Sequence, residues 1–507
     1  MSKSAPPGWV RDAGFYQVFP DRYARSGRVH APGPMEPWDS PPTVHGFKGG
    51  DLFGVIERLD HIQSLGATAL YLNPIFASAS NHRFHTYDYL TVDPLLGGND
   101  ALRQLLDDAH RRGMRVILDG VFNHASRGFW PFHHVLETGR HSPYLDWFYL
   151  SPSVLSGARE PDPYPDRSAA GATRRRAPAL ETLGYRAWWN LPALPKLNVG
   201  NPEMREYLLG VAEHWIRFGA DGWRLDVAHE IEDLDFWAKF RQRVRAVNPD
   251  AYLVAEIWTV APEWLGPSLF DATMNYPLGF AILGFAGGGH LDRSVAAGHT
   301  AVSAGLHPLD GRAFAERLEE LFAAYPMEHV AAQFNLLGSH DTPRVLALCG
   351  EDEASLRIAT LMQMAMPGAP SIYYGDEIGM TGRADPDCRR SFPTSESAWN
   401  VDLLGLMRAA VAARGSDPAL RGDGFRTLAG TGSAVAFERR HGSHRSVVVV
   451  NASEVPMELT LPGQVEVQRL SPSLASDLRG ADLRQATEGG VVVTLPARWG
   501  GIWRVVA

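Results

Sequence analysis

Three acidic residues each close a short apolar run: Asp226 in Gly222-Trp-Arg-Leu-Asp, Glu256 in Leu253-Val-Ala-Glu, and Asp341 in Ser339-His340-Asp341. An acid ending a buried strand is costly unless it is paired or functional. A helix N-cap would account for one of them. Three, each with Arg, His or Trp beside it, call for chemistry. Glycoside hydrolysis needs such a set: one carboxylate attacks the anomeric carbon and one protonated acid serves the leaving oxygen. A third anion holds sugar hydroxyls and supports a cationic transition state. Arg224 lies two residues before Asp226, so on a strand both side chains face the same way. Its guanidinium would keep Asp226 ionised as a nucleophile. Glu256 must rest protonated, and burial against Trp258 would favour that state.

Barrel enzymes place such residues at the C-terminal ends of parallel strands. Strands are expected at 15–19, 69–72, 116–119, 222–226, 253–256, 272–275, 334–337 and 371–374. Helical periodicity separates them, as at 52–65, at 102–112 with Asn99 or Asp100 as cap, and at 202–218. The last opens with Asn201 as cap and Pro202 at the first helical position. Eight strand–helix units imply an α/β fold closed into a (β/α)₈ TIM barrel. Residues 124–198, rich in Pro, Arg, Gly and Ser, interrupt the rhythm after the third strand. A structureless loop of that length would be anomalous, so the segment reads as an inserted subdomain. Past residue 421 the runs 447–450, 465–470 and 491–495 are β-rich and punctuated by Gly and Pro. They read as a C-terminal antiparallel β-sandwich. The expected division is 1–123 with 199–420 as barrel, 124–198 as insertion and 421–507 as sandwich.

Composition bounds the partners. The 507 residues are 45% hydrophobic and 21% charged, an ordinary globular balance. The net charge of −9 argues against nucleic acid, which needs clustered positive charge. The one dense run, Arg174-Arg175-Arg176, reads as a solvated loop. Cys349 and Cys388 supply no disulfide framework, which favours a reduced compartment. The N-terminus lacks the apolar core of a secretory signal, so the expected location is cytoplasmic. The uncharged window 358–375 contains Gln363, Pro367, Gly368 and Pro370, and reads as a buried helix followed by a buried strand, not a membrane span. Of the 14 Trp, 15 Tyr and 22 Phe residues most belong to the core, and a minority suit sugar stacking. Trp188 and Trp189 are open to either reading.

Six motifs occur in order: Asp119-Gly-Val-Phe-Asn-His124, Leu194-Pro-Lys-Leu-Asn198, Gly222-Trp-Arg-Leu-Asp-Val-Ala-His-Glu230, Ala255-Glu-Ile-Trp258, Leu337-Gly-Ser-His-Asp-Thr342 and Gly368-Ala-Pro-Ser-Ile-Tyr-Tyr-Gly-Asp-Glu-Ile-Gly379. In these the chain resembles the α-amylase superfamily of retaining glycoside hydrolases, and within it the neopullulanase, cyclomaltodextrinase and maltogenic amylase group. The resemblance implies Asp226 as nucleophile, Glu256 as general acid/base and Asp341 as transition-state stabiliser. It implies His124 and His340 as ligands of the sugar at the cleavage subsite, Arg224 as the group orienting the nucleophile, and Arg344 as a further subsite residue. Tyr87 is the implied stacking platform and His85 a hydroxyl ligand. Asp119 and Asn123 look architectural. Asp385 and Arg389 resemble residues bounding the non-reducing end. Trp258, His229 and Glu230 fall on the aglycone side. The implied partner is an α-glucan, cleaved at α-1,4 bonds mainly to maltose. The alternatives are a glucan transferase or isomerase on the same fold, and a non-catalytic glycan-binding protein.

Three departures from the group shape further expectations. It usually carries an N-terminal β-sandwich module, whereas the first barrel strand here begins near Phe15. The expectation is a monomer, not the domain-swapped type of dimer, with a more open cleft. His229 stands where the group has Asn, which bears on acceptor binding. No cofactor is required, and structural calcium is the one ion the resemblance raises. Gly49-Gly50-Asp51 of its usual site is present, but the loop 22–30 lacks the carboxylate and amide oxygens a hard cation needs, so no strong site is expected.

Overall fold

The computed structural model describes residues 5–165, 178–462, 470–477, 479–485 and 490–506. The run 174–176 and most of the expected strand 465–470 lie outside them.

Strand β1 (Phe15–Val18) and β2 (Ala69–Leu72) are followed by a hairpin of β3 (Phe76–Ser78) and β4 (Thr86–Val92). Then come β5 (Arg115–Gly120), β6 (Gly222–Leu225), β7 (Tyr252–Ala255), β8 (Ala272–Thr273), β9 (Phe334–Leu336) and β10 (Ala369–Tyr373). Apart from the hairpin they form one parallel sheet in the order β8-β7-β6-β5-β2-β1-β10-β9. Met274, directly after β8, bridges Phe334 of β9 in parallel, and Asn275 N donates to Phe334 O at 2.8 Å, which closes the barrel. All eight expected strands are present, with ends shifted by two residues at most. β1, β2, β6 and β7 are buried at every position, as strands covered on both faces must be. The interior is filled by Phe15, Tyr71, Ile117, Tyr252, Val254 and Phe334, not hollow. Each such side chain contributes about 1.5–3 kcal/mol by burial. Gly222 lets β6 and β7 approach, since a Cβ there would lie 2.2 Å from Tyr252 O.

The helix Pro202–Phe218 is capped as expected by Asn201, whose side chain accepts from Met204 N at 2.9 Å. The helix expected at 102–112 spans Gly98–Arg111, and neither Asn99 nor Asp100 caps it. Asn99 instead turns back to β4, accepting from Val92 N at 2.8 Å, and Gly97 at φ 99 makes the entry turn. The expected helix 52–65 is two, Leu52–Glu57 and Leu59–Ser64, interrupted at Arg58. The window 358–375 is the end of helix Glu353–Ala365 followed by β10, and no described helix is long and apolar enough to cross a membrane.

Between β5 and the helix at Pro202 the chain makes a short helix, Trp130–Thr138, and isolated bridges such as His124 with Lys196 and Ala187 with Pro195. Beyond Arg421 come β11 (Gly424–Thr431), β12 (Ala434–His441), β13 (His444–Asn451), β14 (Met457–Leu461), β15 (Leu470–Ala475), β16 (Asp482–Gln485), β17 (Val491–Leu495) and β18 (Trp499–Val505). They form two antiparallel sheets, β11-β12-β13-β18-β15 and β14-β17-β16. Val447, Val449 and Trp499 of the first sheet meet Leu459, Val491 and Val493 of the second in one apolar layer. Alternate residues of the first sheet, Val448, Val450 and Ile502, face the barrel's core instead.

Candidate active site

Arg224, Asp226 and Glu256 converge where β6 and β7 end. Arg224 lies 1% exposed, yet its guanidinium serves three carboxylates. Nη1 is 2.9 Å from both Asp119 Oδ1 and Asp226 Oδ1, and Nη2 is 3.0 Å from Glu256 Oε2. Asp119, expected to be architectural, therefore belongs to the charged cluster; it also accepts from Tyr71 OH at 2.6 Å. Glu256 takes two further donors, Val227 N at 2.9 Å and Trp258 Nε1 at 3.0 Å. Trp258 thus meets the acid through its polar N–H and not through an apolar face. Its ring is engaged by Tyr276, parallel at 3.6 Å, and by His299 at 5.0 Å. Val227 holds φ 38 and ψ 47, a left-handed geometry that costs a β-branched residue free energy and aims its N–H at Glu256.

Arg224, expected to keep Asp226 ionised, acts in that direction against burial. One guanidinium cannot compensate three buried carboxylates. Burial pushes the Asp226 carboxyl well above its ordinary range, Arg224 opposes this, and the charges of Glu256 and Asp119 add to it. Asp119 is pushed up to about 6, burial again leading.

Asp341 stands across the site on the loop after β9. Arg389 Nη2 lies 3.3 Å from its Oδ1 and His340 Nε2 lies 3.2 Å from its Oδ2. Arg389 also donates to His340 O at 2.8 Å and pairs with Asp385 at 3.0 Å, so Asp385 and Arg389 border this wall as expected. Gln17, on β1, donates to Asn73 Oδ1 at 3.0 Å and to His340 Nδ1 at 2.9 Å. That contact fixes the tautomer and leaves Nε2 carrying the proton. Among buried histidine nitrogens without a hydrogen-bond partner are Nε2 of His124 and of His340, the two rings implied as sugar ligands. Burial lowers both, His124 to about 3, so each is a neutral ring able to exchange hydrogen bonds with hydroxyls. His85, lowered to about 4 by burial and then by Arg127, meets His82 edge-on at 5.0 Å.

Two implied residues stand elsewhere. Tyr87 is 37% exposed and packs on Gly128, where a Cβ would come within 2.4 Å of its ring. The aromatic that reaches the cluster is Phe84, stacked on His340 at 5.3 Å with planes 6° apart and 6.0 Å from the Arg224 guanidinium. On β4 Thr86 is buried and Tyr87 is exposed, while Phe84 lies two residues before the strand. Arg344, implied as a further subsite residue, contacts loop carbonyls and Asp376 and none of the three acids. It is 1% exposed, donates to Tyr374 O and Cys388 O, and lies 3.1 Å from Asp376, so it braces two loops beneath the site. His229 is exposed, and Glu230 lies 4.0 Å from Lys196 Nζ. His82, Phe84 and His299 border the cluster without standing in any of the six motifs. For His82 and Phe84 the signal was proximity to His85 within one turn; His299 sits in the long segment between β8 and β9 and carried none.

The loop where calcium was considered is organised by protein cations and N–H groups. Asp21 accepts from Lys48 N at 2.9 Å and Gly49 N at 3.1 Å, and lies 3.1 Å from Arg22. Asp51 accepts from Ser26 N, Ser26 Oγ and Gly54 N. Lys48 Nζ, fully buried, donates to Pro37 O at 2.7 Å, Ser40 O at 2.7 Å and Ser40 Oγ at 2.6 Å, beside Glu36 at 3.4 Å. An ammonium in an oxygen cage takes a cation's place, and these residues do not fit calcium.

The "Alpha amylase, catalytic domain" family model matches residues 17–422. The chain belongs to the α-amylase family of glycoside hydrolases. It is similar to a cyclomaltodextrinase of Geobacillus thermopakistaniensis, 39% identical over 473 residues, 92% of this chain and 74% of that one. It is similar to the intracellular maltogenic amylase of Bacillus subtilis strain 168, 36% identical, over 82% of this chain and 64% of the other. Its fold matches the debranching enzyme from Nostoc punctiforme with a TM-score of 0.86 and 40% identity, over 98% of this chain and 99% of that one.

Proposed function

We propose that this α-amylase-family enzyme cleaves α-1,4-glucosidic bonds of starch, maltooligosaccharides and cyclodextrins, and also pullulan, with retention and with maltose as main product. One observation carries the reading: Asp226 and Glu256 are held by neighbouring nitrogens of a single guanidinium. That fits the roughly 5–5.5 Å between carboxyls that retention requires, and not the wider gap that admits an attacking water. Asp226 attacks the anomeric carbon while Glu256 gives its proton to the departing oxygen. Glu256, now ionised, takes a proton from water, and the hydroxide breaks the Asp226–sugar ester. Asp341, His340 and His124 hold the hydroxyls of the distorted sugar.

The named activities of the relatives support the substrate range. Proton NMR of the first product tests the mechanism: an α-anomer is expected from an α-linked glucan, and a β-anomer refutes it. Glu256→Gln is expected to abolish turnover and keep glucan binding; surviving hydrolysis would refute the assignment. The division into 1–123 with 199–420, 124–198 and 421–507 belongs to the same proposal, tested by limited proteolysis at its borders. So does a monomeric state, which light scattering tests. The intracellular relative and the two free, buried cysteines support action in the cytoplasm, tested by fractionation.

A further inference from the structure

A column of three near-parallel rings runs from the buried His124 outward to the surface. The His124 imidazole lies 4.9 Å from Trp188 with planes 13° apart, and Trp188 lies 4.5 Å from Trp189 at 14°. His124 is 1% exposed, and Trp189, at the outer end, is 73% exposed. An indole so presented forfeits the burial that fixes most tryptophans.

Its backbone is held in an unfavourable form as well. Trp189 has φ 50 and ψ 26, and Asn190 has φ 56, two consecutive left-handed residues without a glycine. Such geometry persists only where the surroundings enforce it. Here Trp188 N donates to Leu194 O at 3.0 Å, Leu191 N to Trp188 O at 2.9 Å, and Ala179 N to Asn190 Oδ1 at 2.9 Å. The next residues are tied to the cleft wall, with Ala125 N donating to Pro195 O at 3.1 Å and Lys196 Nζ to Asn123 Oδ1 at 2.5 Å. Thus the indole face is displayed and preorganised, in register with a ring implied in sugar binding.

We propose that Trp189, backed by Trp188, is a stacking platform for a glucosyl unit of the α-glucan distant from the cleaved bond. This rests on reading the cleft as an α-glucan site. A pyranose has an apolar C–H face and a hydroxyl rim, which match an indole face bordered by water. The column contains rings and no formal charge, so it selects a neutral, flat ligand over an ionic one. Continuity through His124 makes the occupant the same chain that enters the cleft. The platform adds affinity for long chains and leaves the bond-cleaving groups untouched.

The test compares chain lengths. In Trp189→Ala, kcat/KM on maltoheptaose is expected to fall about tenfold more than on maltotriose, the equivalent of ~1.4 kcal/mol. The loss appears in KM, and Trp189→Phe recovers most of it. Titration of maltoheptaose into Glu256→Gln, with and without Trp189→Ala, is expected to show the same tenfold change in Kd. Equal losses on both substrates would make Trp189 a prop for His124 and overturn the proposal. Unchanged KM and Kd would overturn it too, as would a dimer that dissociates in Trp189→Ala without a change in KM. If the wild type releases no sugar from any α-glucan, the catalytic reading fails, and the titration still decides whether Trp189 binds glucan.

Discussion

Asp119→Asn should stabilise this enzyme while crippling it. Asp119 is wholly buried on β5, and its carboxyl is pushed from 3.8 to about 6 even with Arg224 Nη1 at 2.9 Å and Tyr71 OH at 2.6 Å. Because the folded value is raised, the stability it contributes is complete below its unfolded value and is lost as pH rises through about 6. A rise of about two units, at ~1.36 kcal/mol each, costs the native state about 3 kcal/mol above roughly pH 7. Asparagine keeps the volume and leaves Oδ1 to accept from Arg224, while the Tyr71 hydroxyl can turn to accept from Nδ2. Arg224 is left with Asp226 and Glu256, so no cation is stranded. The expected gain is up to about 3 kcal/mol at pH 8, vanishing below about pH 4. Meanwhile Arg224 shifts toward its two remaining partners, and displacing a catalytic constellation by about 1 Å costs on the order of 10²-fold in kcat. Calorimetric unfolding at pH 4, 6 and 8, with initial rates at the same values, reads both effects. A variant less stable at pH 8, or a stability difference that does not change with pH, would refute the reasoning.

Lys48→Met should destabilise the protein by about 3 kcal/mol, since it leaves Pro37 O and Ser40 O without their charged donor; thermal melts with and without EDTA check this, and a wild-type melt that collapses in EDTA and recovers with calcium alone would refute the internal-cation reading. Gln17→Leu strips a donor from His340 Nδ1 and Asn73 Oδ1, and should lower kcat roughly tenfold by releasing the imidazole from its tautomer and pose; unchanged kinetics would show that Gln17 only packs. Arg344→Met should cost about 3–5 kcal/mol of stability with little effect on KM, whereas a large rise in KM at unchanged melting temperature would restore Arg344 as a sugar ligand.

How far the site was legible follows from what carries each signal. Asp226, Glu256 and Asp341 announce themselves because an acid at the end of an apolar run has few structural excuses. Strand periodicity places Arg224 on the face of Asp226, and the structure keeps it there at 2.9 Å. Tyr87 and Arg344 show the limit. Both stand close in sequence to site residues, yet Tyr87 is exposed on β4 and Phe84, before that strand, reaches the cluster, while Arg344 is consumed by carbonyls of loops 30 and 44 residues away. Sequence spacing reports neighbours along one strand, and these contacts are made between strands.

By itself the sequence determined the eight strand–helix units, the acids at their ends, the capped helix at Pro202 and the β-rich tail, because periodicity, caps and turn residues are local properties. Only the tertiary structure decided how one guanidinium is divided among Asp119, Asp226 and Glu256. It also decided that Lys48 fills a cage of oxygens from residues 36–40, and that His124, Trp188 and Trp189 form one column. Burial and charge compensation depend on every group within a few ångströms, whichever part of the chain supplies it, and closure of the barrel is what brings those groups together.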